Sequence, residues 1–415
     1  MARPKVISLF SGAGGLDYGF EAAGFGPPVA VELDHDCCET LRHSRPRWRL
    51  IERDIFQVST EELLDGVSAA RGEADIVIGG PPCQPFSKSG YWSSGDAKRL
   101  ADPRSDTLCA FLRVVREALP RAFLLENVHG LAFSGKDEGL QLLLAELASI
   151  NRATKSNYRP RVHILNAAWY GVPQLRERVF VIASRDGARF DFPRPSHADL
   201  EESGSRLDLA DRGTLAPYRN AWDAIGDVHP DKDEDLALRG KWADLLPSIP
   251  EGQNYLWHTE RGGGRRLFGW RRRYWSFLLK LAKARPSWTL QAQPGPAIGP
   301  FHWSNRRLSM REMCRIQTFP DDVRVLGSLG SVQRQIGNAV PSLLAEVLAR
   351  EIRKQLFGTR LTTPAPKLLP SVKRPVPPPE PVRAIPERFD ALEGEHSAHP
   401  GTGRGFGALR RRSVA

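Results

Sequence analysis

Short apolar, β-branched runs alternate with segments of helical spacing along the first 185 residues. Lys5–Phe10 (KVISLF), Pro28–Glu32, Leu50–Ile55, Asp75–Gly79 and Phe123–Val128 predict buried strands. Leu16–Ala23, Cys37–His43, Thr60–Ala70 and Thr107–Ala118 predict the helices between them. Glu138–Ile150 then reads as an amphipathic helix, and Val162–Ala168 and Val179–Ser184 as two further strands. This alternation predicts an α/β fold on a doubly wound parallel sheet. Polar residues Glu32, Asp54 and Cys83 then fall at carboxyl ends of strands, on the rim where open α/β sheets bind ligands.

The pattern breaks between about Asp186 and Pro286, where Pro, Asp and Arg replace it. Within this stretch, Arg265, Arg266, Arg271, Arg272 and Arg273 interleave with Leu267, Phe268, Trp270, Tyr274 and Trp275 after a run of three glycines. Arginines suit phosphates and guanine edges, and aromatics can stack, so these five arginines are candidate nucleic-acid contacts. Ser309 with Glu312 three residues later predicts a capped helix start, and Ser342–Leu356 a strong helix. After Gly358 the run Pro375–Pro381 and the terminal arginines predict a disordered or extended tail.

The chain has 415 residues, enough for two domains, and a formal net charge of +11, which suggests a polyanionic partner. Its five cysteines form no C-x-x-C pair and no histidine cluster accompanies them, which argues against zinc and for reduced thiols in a cytosol. No signal peptide and no apolar run of membrane-spanning length is present, so no membrane association is expected.

Candidate chemistry concentrates in Ile76–Ser87 (IVIGGPPCQPFS). A lone cysteine is ordinarily a small buried hydrophobe. Packing, however, does not require Pro-Pro before Cys83 and Gln-Pro-Phe-Ser after it, whereas a nucleophile requires a fixed, accessible backbone. Ser11-Gly12-Ala13-Gly14-Gly15 between strand and helix suits a nucleotide-type cofactor, although Asp17 occupies the third glycine position of the dinucleotide pattern. Glu126 ends a strand, and Arg176 and Arg178 at i, i+2 share one side of an extended chain.

The segment Gly79–Ser87, with Pro-Cys-Gln at its centre, resembles the catalytic loop of the DNA (cytosine-5) methyltransferases. Phe10–Gly15, Glu126-Asn127-Val128, Gln174-Leu175-Arg176-Glu177-Arg178, Arg307–Glu312 and Gln335–Pro341 resemble further motifs of that family, in its order. Asp102-Pro103-Arg104 with Thr107-Leu108 also resembles a family segment, but departs from the commoner D-x-R-G. The resemblance implies a Rossmann-like S-adenosylmethionine methyltransferase domain at 1–185, completed by 335–357. It implies a smaller, irregular target-recognition domain at 186–334, followed by a tail at 358–415. Phe10, Ser11, Gly12, Gly14, Gly15, Leu16, Glu32, Asp54, Ile55, Pro81, Leu108 and Asn338 would bind S-adenosylmethionine. Cys83 would be the nucleophile, Glu126 would act at ring nitrogen 3, Arg178 would hold the base carbonyl, and Arg176 would support the loop or a phosphate. The implied partner is double-stranded DNA in a bacterial cytoplasm, with a restriction endonuclease of the same specificity as a further expected partner. The competing readings are an RNA cytosine-5 methyltransferase, a nucleotide-dependent oxidoreductase and a catalytically idle DNA-binding protein. The second leaves Pro81-Pro82-Cys83, Glu126 and the arginine pair unexplained.

Overall fold

The strands β1 (Val6–Leu9), β2 (Val29–Glu32), β3 (Arg49–Glu52), β4 (Ile76–Gly79) and β5 (Ala122–Asn127) fall within a residue or two of the expected runs, β3 excepted, which stops at Glu52. The computed structural model describes residues 3–82, 106–128, 138–200, 215–231, 234–269, 274–359, 361 and 363–393. Helices α1 (Gly15–Ala22), α2 (His35–Ser44), α3 (Thr60–Gly66), α4 (Asp106–Ala118) and α5 (Glu138–Thr154) alternate with the strands. Then follow β6 (Arg161–Asn166), the two-residue β7 (Gln174–Leu175) and β8 (Glu177–Ser184). Among the described residues the main sheet has seven strands in the order β3-β2-β1-β4-β5-β8-β6.

The period of two along the strands divides the core. Ile7, Leu9, Val77, Phe123, Leu125, Val179 and Val181 face Phe111, Val114 and Val115 of α4 and Leu143 and Leu147 of α5. Val6, Ile76, Ile78, Leu124, Phe180 and Ile182 face Leu16 and Phe20 of α1 together with the C-terminal helix. Both faces are therefore covered, as expected for a doubly wound sheet. One expectation fails, because β8 runs antiparallel to both β5 and β6. Only ten residues separate β6 from β8, and a parallel return needs a crossover of about a dozen or more. Asn166 instead caps a tight turn over Ala167–Tyr170, Gly171 takes φ 86°, and the chain reverses.

The irregular stretch after β8 holds α6 (Ala221–Ile225) and α7 (Met310–Ile316). The capping box expected at Ser309 and Glu312 is formed. An unexpected helix, α8 (Leu329–Asn338), crosses the anticipated domain boundary at residue 334, and α9 (Ser342–Gln355) follows it. Val332 and Ile336 of α8 share a cluster with Leu308 and Phe319 and with Tyr18, Leu41 and Trp48 of the sheet domain. Gly19 of α1 is required for close packing against α9, since a Cβ there would lie 2.4 Å from the Cβ of Ala345.

Among the described tail residues, 363–386 run without helix or strand and Glu387–Leu392 forms a 3-10 helix. Glu346 of α9 accepts the backbone N–H groups of Lys367 (2.7 Å) and Leu368 (2.9 Å). Farther on, Lys373 N donates to Asp223 (2.8 Å) and Glu380 N to Glu251 (2.8 Å). Phe389 then enters a cluster with Leu245, Leu246, Tyr255 and Leu267, stacked on Trp242 at 5.9 Å. Proline keeps this segment extended, and buried partners in the body of the protein hold it. Phe389→Ala is expected to weaken its docking by about 3 kcal/mol, the usual cost of emptying an aromatic site. Limited proteolysis followed by mass spectrometry should then find faster cleavage between 363 and 393. Cleavage at the parent rate would show that Phe389 is not the anchor.

Candidate active site

β4 ends at Gly79 and Gly80 follows it, and both positions are crowded by their surroundings. A Cβ at Gly79 would stand 2.6 Å from the carbonyl of Leu9, and one at Gly80 would stand 2.9 Å from Oε2 of Glu126. The turn continues through Pro81 and Pro82, whose carbonyls accept hydrogen bonds from Asn127 Nδ2 (3.4 Å) and Thr107 Oγ1 (3.3 Å). Cys83 lies outside the described residues, as do Arg271, Arg272 and Arg273.

Glu126 sits near the end of β5, only 8% exposed. Its partner across the ladder is Phe180, so Arg178 is its diagonal neighbour on β8. Arg178 Nε meets Glu126 Oε1 at 2.9 Å. Burial raises the Glu126 pKa, and the charges of Arg178 and Arg176 oppose that rise. Burial likewise pulls the Arg178 guanidinium down, against the attraction of Glu126.

Arg176 is more deeply buried than Arg178, at 1% exposure. Its Nη1 donates to the Leu290 carbonyl (3.3 Å) and its Nη2 to the Gly337 carbonyl (2.7 Å). The two arginines of the motif therefore divide their work. Arg178 faces the carboxyl group, while Arg176 joins three chain segments.

The cofactor candidates converge on the same rim. Phe10 and Gly12 both take φ 55° and Gly14 takes φ 85°. The N–H of Gly12 donates to Glu32 Oε2 (2.7 Å), and Glu32 Oε1 accepts from Leu33 N and Asp34 N (2.8 Å each). Asp54 accepts from Phe56 N (3.1 Å), which places Ile55 in the core beside Leu108 and Phe10. Gly15 lies under the returning chain, because a Cβ there would be 2.3 Å from the Val340 carbonyl. Ser11 and Leu16 belong to the same loop and helix start, and Asn338 is exposed at the end of α8. The residues fit a nucleoside cofactor: a Cβ at Gly12 would meet nothing within 4 Å, and a carboxylate with about four acceptor positions keeps one free on Glu32 Oε2. Leu33 and Phe56, 64% and 56% exposed, immediately follow the rim residues Glu32 and Ile55.

The arginine-rich segment is only partly free. Arg266 is exposed, whereas Arg265 pairs with Asp390 (2.9 Å) and with Glu393 of the tail. Among the described residues, no helix is long and apolar enough to cross a membrane.

A doubly wound sheet with a glycine turn and rim acids, and a buried carboxylate–arginine pair beside them, is an α/β arrangement suited to a nucleoside cofactor. The family model for C-5 cytosine-specific DNA methylases matches residues 4–354, and the chain belongs to that family. It is a DNA (cytosine-5) methyltransferase, an enzyme that moves a methyl group from S-adenosylmethionine to carbon 5 of cytosine. The Type II methyltransferase M.SacI of Streptomyces achromogenes is 43% identical over 373 residues, covering 85% of this chain and 93% of that protein. The Type II methyltransferase M1.HphI of Haemophilus parahaemolyticus is 33% identical, covering 84% and 86%. The solved S. pombe Dnmt2 methyltransferase shares the fold, with a TM-score of 0.55 at 16% identity over 85% of this chain and 99% of that one.

Asp17, on the first turn of α1 behind the glycine loop, is fully buried, and the Ser8 side chain and its own backbone N–H only partly offset the loss of water around its carboxylate. Burial raises its pKa to about 7. Between its unfolded value near 4 and this folded value, the folded state holds a proton that the unfolded state has lost, so stability falls as pH rises through that window. Asp17→Asn is expected to be more stable than the parent at about pH 8, by at most about 4 kcal/mol, with the difference vanishing near pH 4. Urea unfolding at both pH values checks this, and an equal difference at both would contradict it.

Proposed function

We propose that this enzyme methylates cytosine within one short double-stranded DNA sequence, through a covalent bond between Cys83 and a base turned out of the duplex. The observation that carries the reading is the buried Glu126–Arg178 pair, 2.9 Å apart, against the glycine–proline turn that leads to Cys83. Carbon 5 of cytosine is a weak nucleophile. Attack of the Cys83 thiolate on carbon 6 forms an S–C bond and moves electron density toward carbon 5 and ring nitrogen 3. Glu126, whose pKa is raised by burial, supplies or shares a proton at nitrogen 3, and Arg178 holds the carbonyl oxygen. S-adenosylmethionine supplies the methyl group. Loss of the carbon 5 proton then expels Cys83 and restores the aromatic ring.

Phe10–Leu16, Glu32, Asp54, Ile55, Pro81, Leu108 and Asn338 would hold S-adenosylmethionine, with Leu33 and Phe56 against its apolar faces. A base in a duplex cannot meet a thiol below its ring, so the target must be extruded, at a cost of a few kcal/mol. Phosphate contacts from the basic region, Arg266 and Arg271–Arg273 included, would offset this. The Type II naming of the relatives supports a restriction endonuclease of the same specificity as partner, and a cytoplasmic setting on bacterial DNA.

Expression in a host lacking cytosine methylation, followed by base-resolution mapping of 5-methylcytosine, tests the reaction and identifies the sequence. One short motif methylated throughout is expected. Absence of DNA methylation alongside newly methylated tRNA would overturn the DNA assignment. On the mapped duplex, Cys83→Ser is expected to abolish methyl transfer while DNA binding persists. Glu126→Gln is expected to lower the single-turnover rate by about a hundredfold or more. A parent-like rate in either variant would remove that residue from the mechanism.

A further inference from the structure

Trp275 and Trp288 are 47% and 37% exposed, and their rings meet edge to face with centroids 5.6 Å apart. Single exposed apolar residues are ordinary, but two tryptophans in contact on separately anchored segments are not. Trp288 lies on a two-residue strand, Ser287–Trp288, that pairs in parallel with β7, placing Trp288 against Leu175. The next residues are fixed too: Thr289 Oγ1 donates to the Leu175 carbonyl (2.7 Å), and the Leu290 carbonyl receives Arg176. On the other segment, the Trp275 carbonyl accepts from Asn254 Nδ2 (2.7 Å), and Ser276 Oγ from Gln291 Nε2 (2.8 Å). The backbones are held while the indoles remain in solvent.

Their position beside the site gives them a use. From Leu175 to Arg178 is three residues, at most about 11 Å of extended chain. Arg178 holds Glu126, where the extruded cytosine would sit. The indole pair is thus anchored within about 11 Å of backbone from Arg178, within reach of the nucleotides that flank that cytosine. Extrusion leaves their bases without a stacking neighbour, and an indole face can replace it.

We propose that Trp275 and Trp288 form the stacking surface for the nucleotides flanking the extruded cytosine. This rests on the base-extrusion reading above. Because the indoles are already oriented, little conformational freedom is lost when DNA docks on them.

The test uses the full-length enzyme and a duplex carrying the mapped motif, with 2-aminopurine placed on either side of the target cytosine. Trp288→Ala and Trp275→Ala are each expected to weaken DNA binding by about ten- to a hundredfold, the usual worth of one base–aromatic stack. Quenching of the 2-aminopurine next to the target should be lost in step. Affinity for S-adenosylmethionine and the melting temperature should not move, and Trp288→Phe should keep most of the DNA affinity. Parent-like DNA affinity in both alanine variants would overturn the proposal. So would a loss of self-association with unchanged DNA binding, which would make this face a contact between two copies. Parent methylation of the same duplex is measured alongside. Its absence would be a failure of the functional reading, distinct from a failure of the stacking surface.

Discussion

The buried guanidinium of Arg176 is the constraint on which the site depends. A charge taken out of water is tolerated only where hydrogen bonds replace the lost solvation. Arg176 obtains them from two carbonyls, Leu290 and Gly337, that lie 114 and 161 residues away in sequence. Its own N–H donates to Asn166 Oδ1 (3.3 Å), at the turn that reverses the chain into β8. One side chain thus joins the edge of the sheet, the strand carrying Trp288, and the helix that returns to the cofactor rim. Replacing it would leave two buried carbonyls unpaired and free the strand that aims Arg178 at Glu126.

The cofactor rim depends on residues that are equally remote in sequence. The glycine turn at 12–15 is covered by Ala339 and Val340, close enough that Gly15 tolerates no side chain. Thr40 of α2 donates to Gln335 of α8 (2.8 Å), and Arg334 pairs with Asp34, the cap of that same helix. The rim of the first two strands is therefore packed on one side by the returning chain. The glycine turn and the start of α2 are in this way held against α8 and the turn that follows it.

What was legible in the sequence was local. The strands of the parallel half have a short apolar signature, and glycine, proline and acid at their ends mark the rim. The capping box at Ser309 was readable for the same reason, since its chemistry spans three residues. What was not legible depended on distant partners. Nothing near Val179–Ser184 announces that it inserts antiparallel between β5 and β6. Nothing in Arg176 distinguishes it from Arg178 until the carbonyls of Leu290 and Gly337 come into view. Arg265 read as a free cation, and it finds its acids 125 and 128 residues later. The irregular stretch after β8 gave no periodicity because its core is built largely from scattered aromatics on turns rather than from one face of a regular element.

The extension from 363 to 393 lies beyond the segment matched by the family, which ends at residue 354. Its exposed ion pairs at Arg265 contribute little, because surface charges are already well solvated. Two buried carboxylates matter more. Glu346 is fully buried, burial raises its pKa, and the N–H groups of Lys367 and Leu368 oppose that rise. Asp223, 1% exposed, accepts the N–H of Lys373 as well as that of Asn220. If the extension left, both acids would lose donors that water could not fully replace in those positions. Glu346 lies on α9 and Asp223 in the irregular region after β8, so the same contacts that retain the extension also tie these two parts together. A constraint of that kind bears on catalysis, because a displacement of about 1 Å between a base and its catalytic groups can cost a hundredfold in rate.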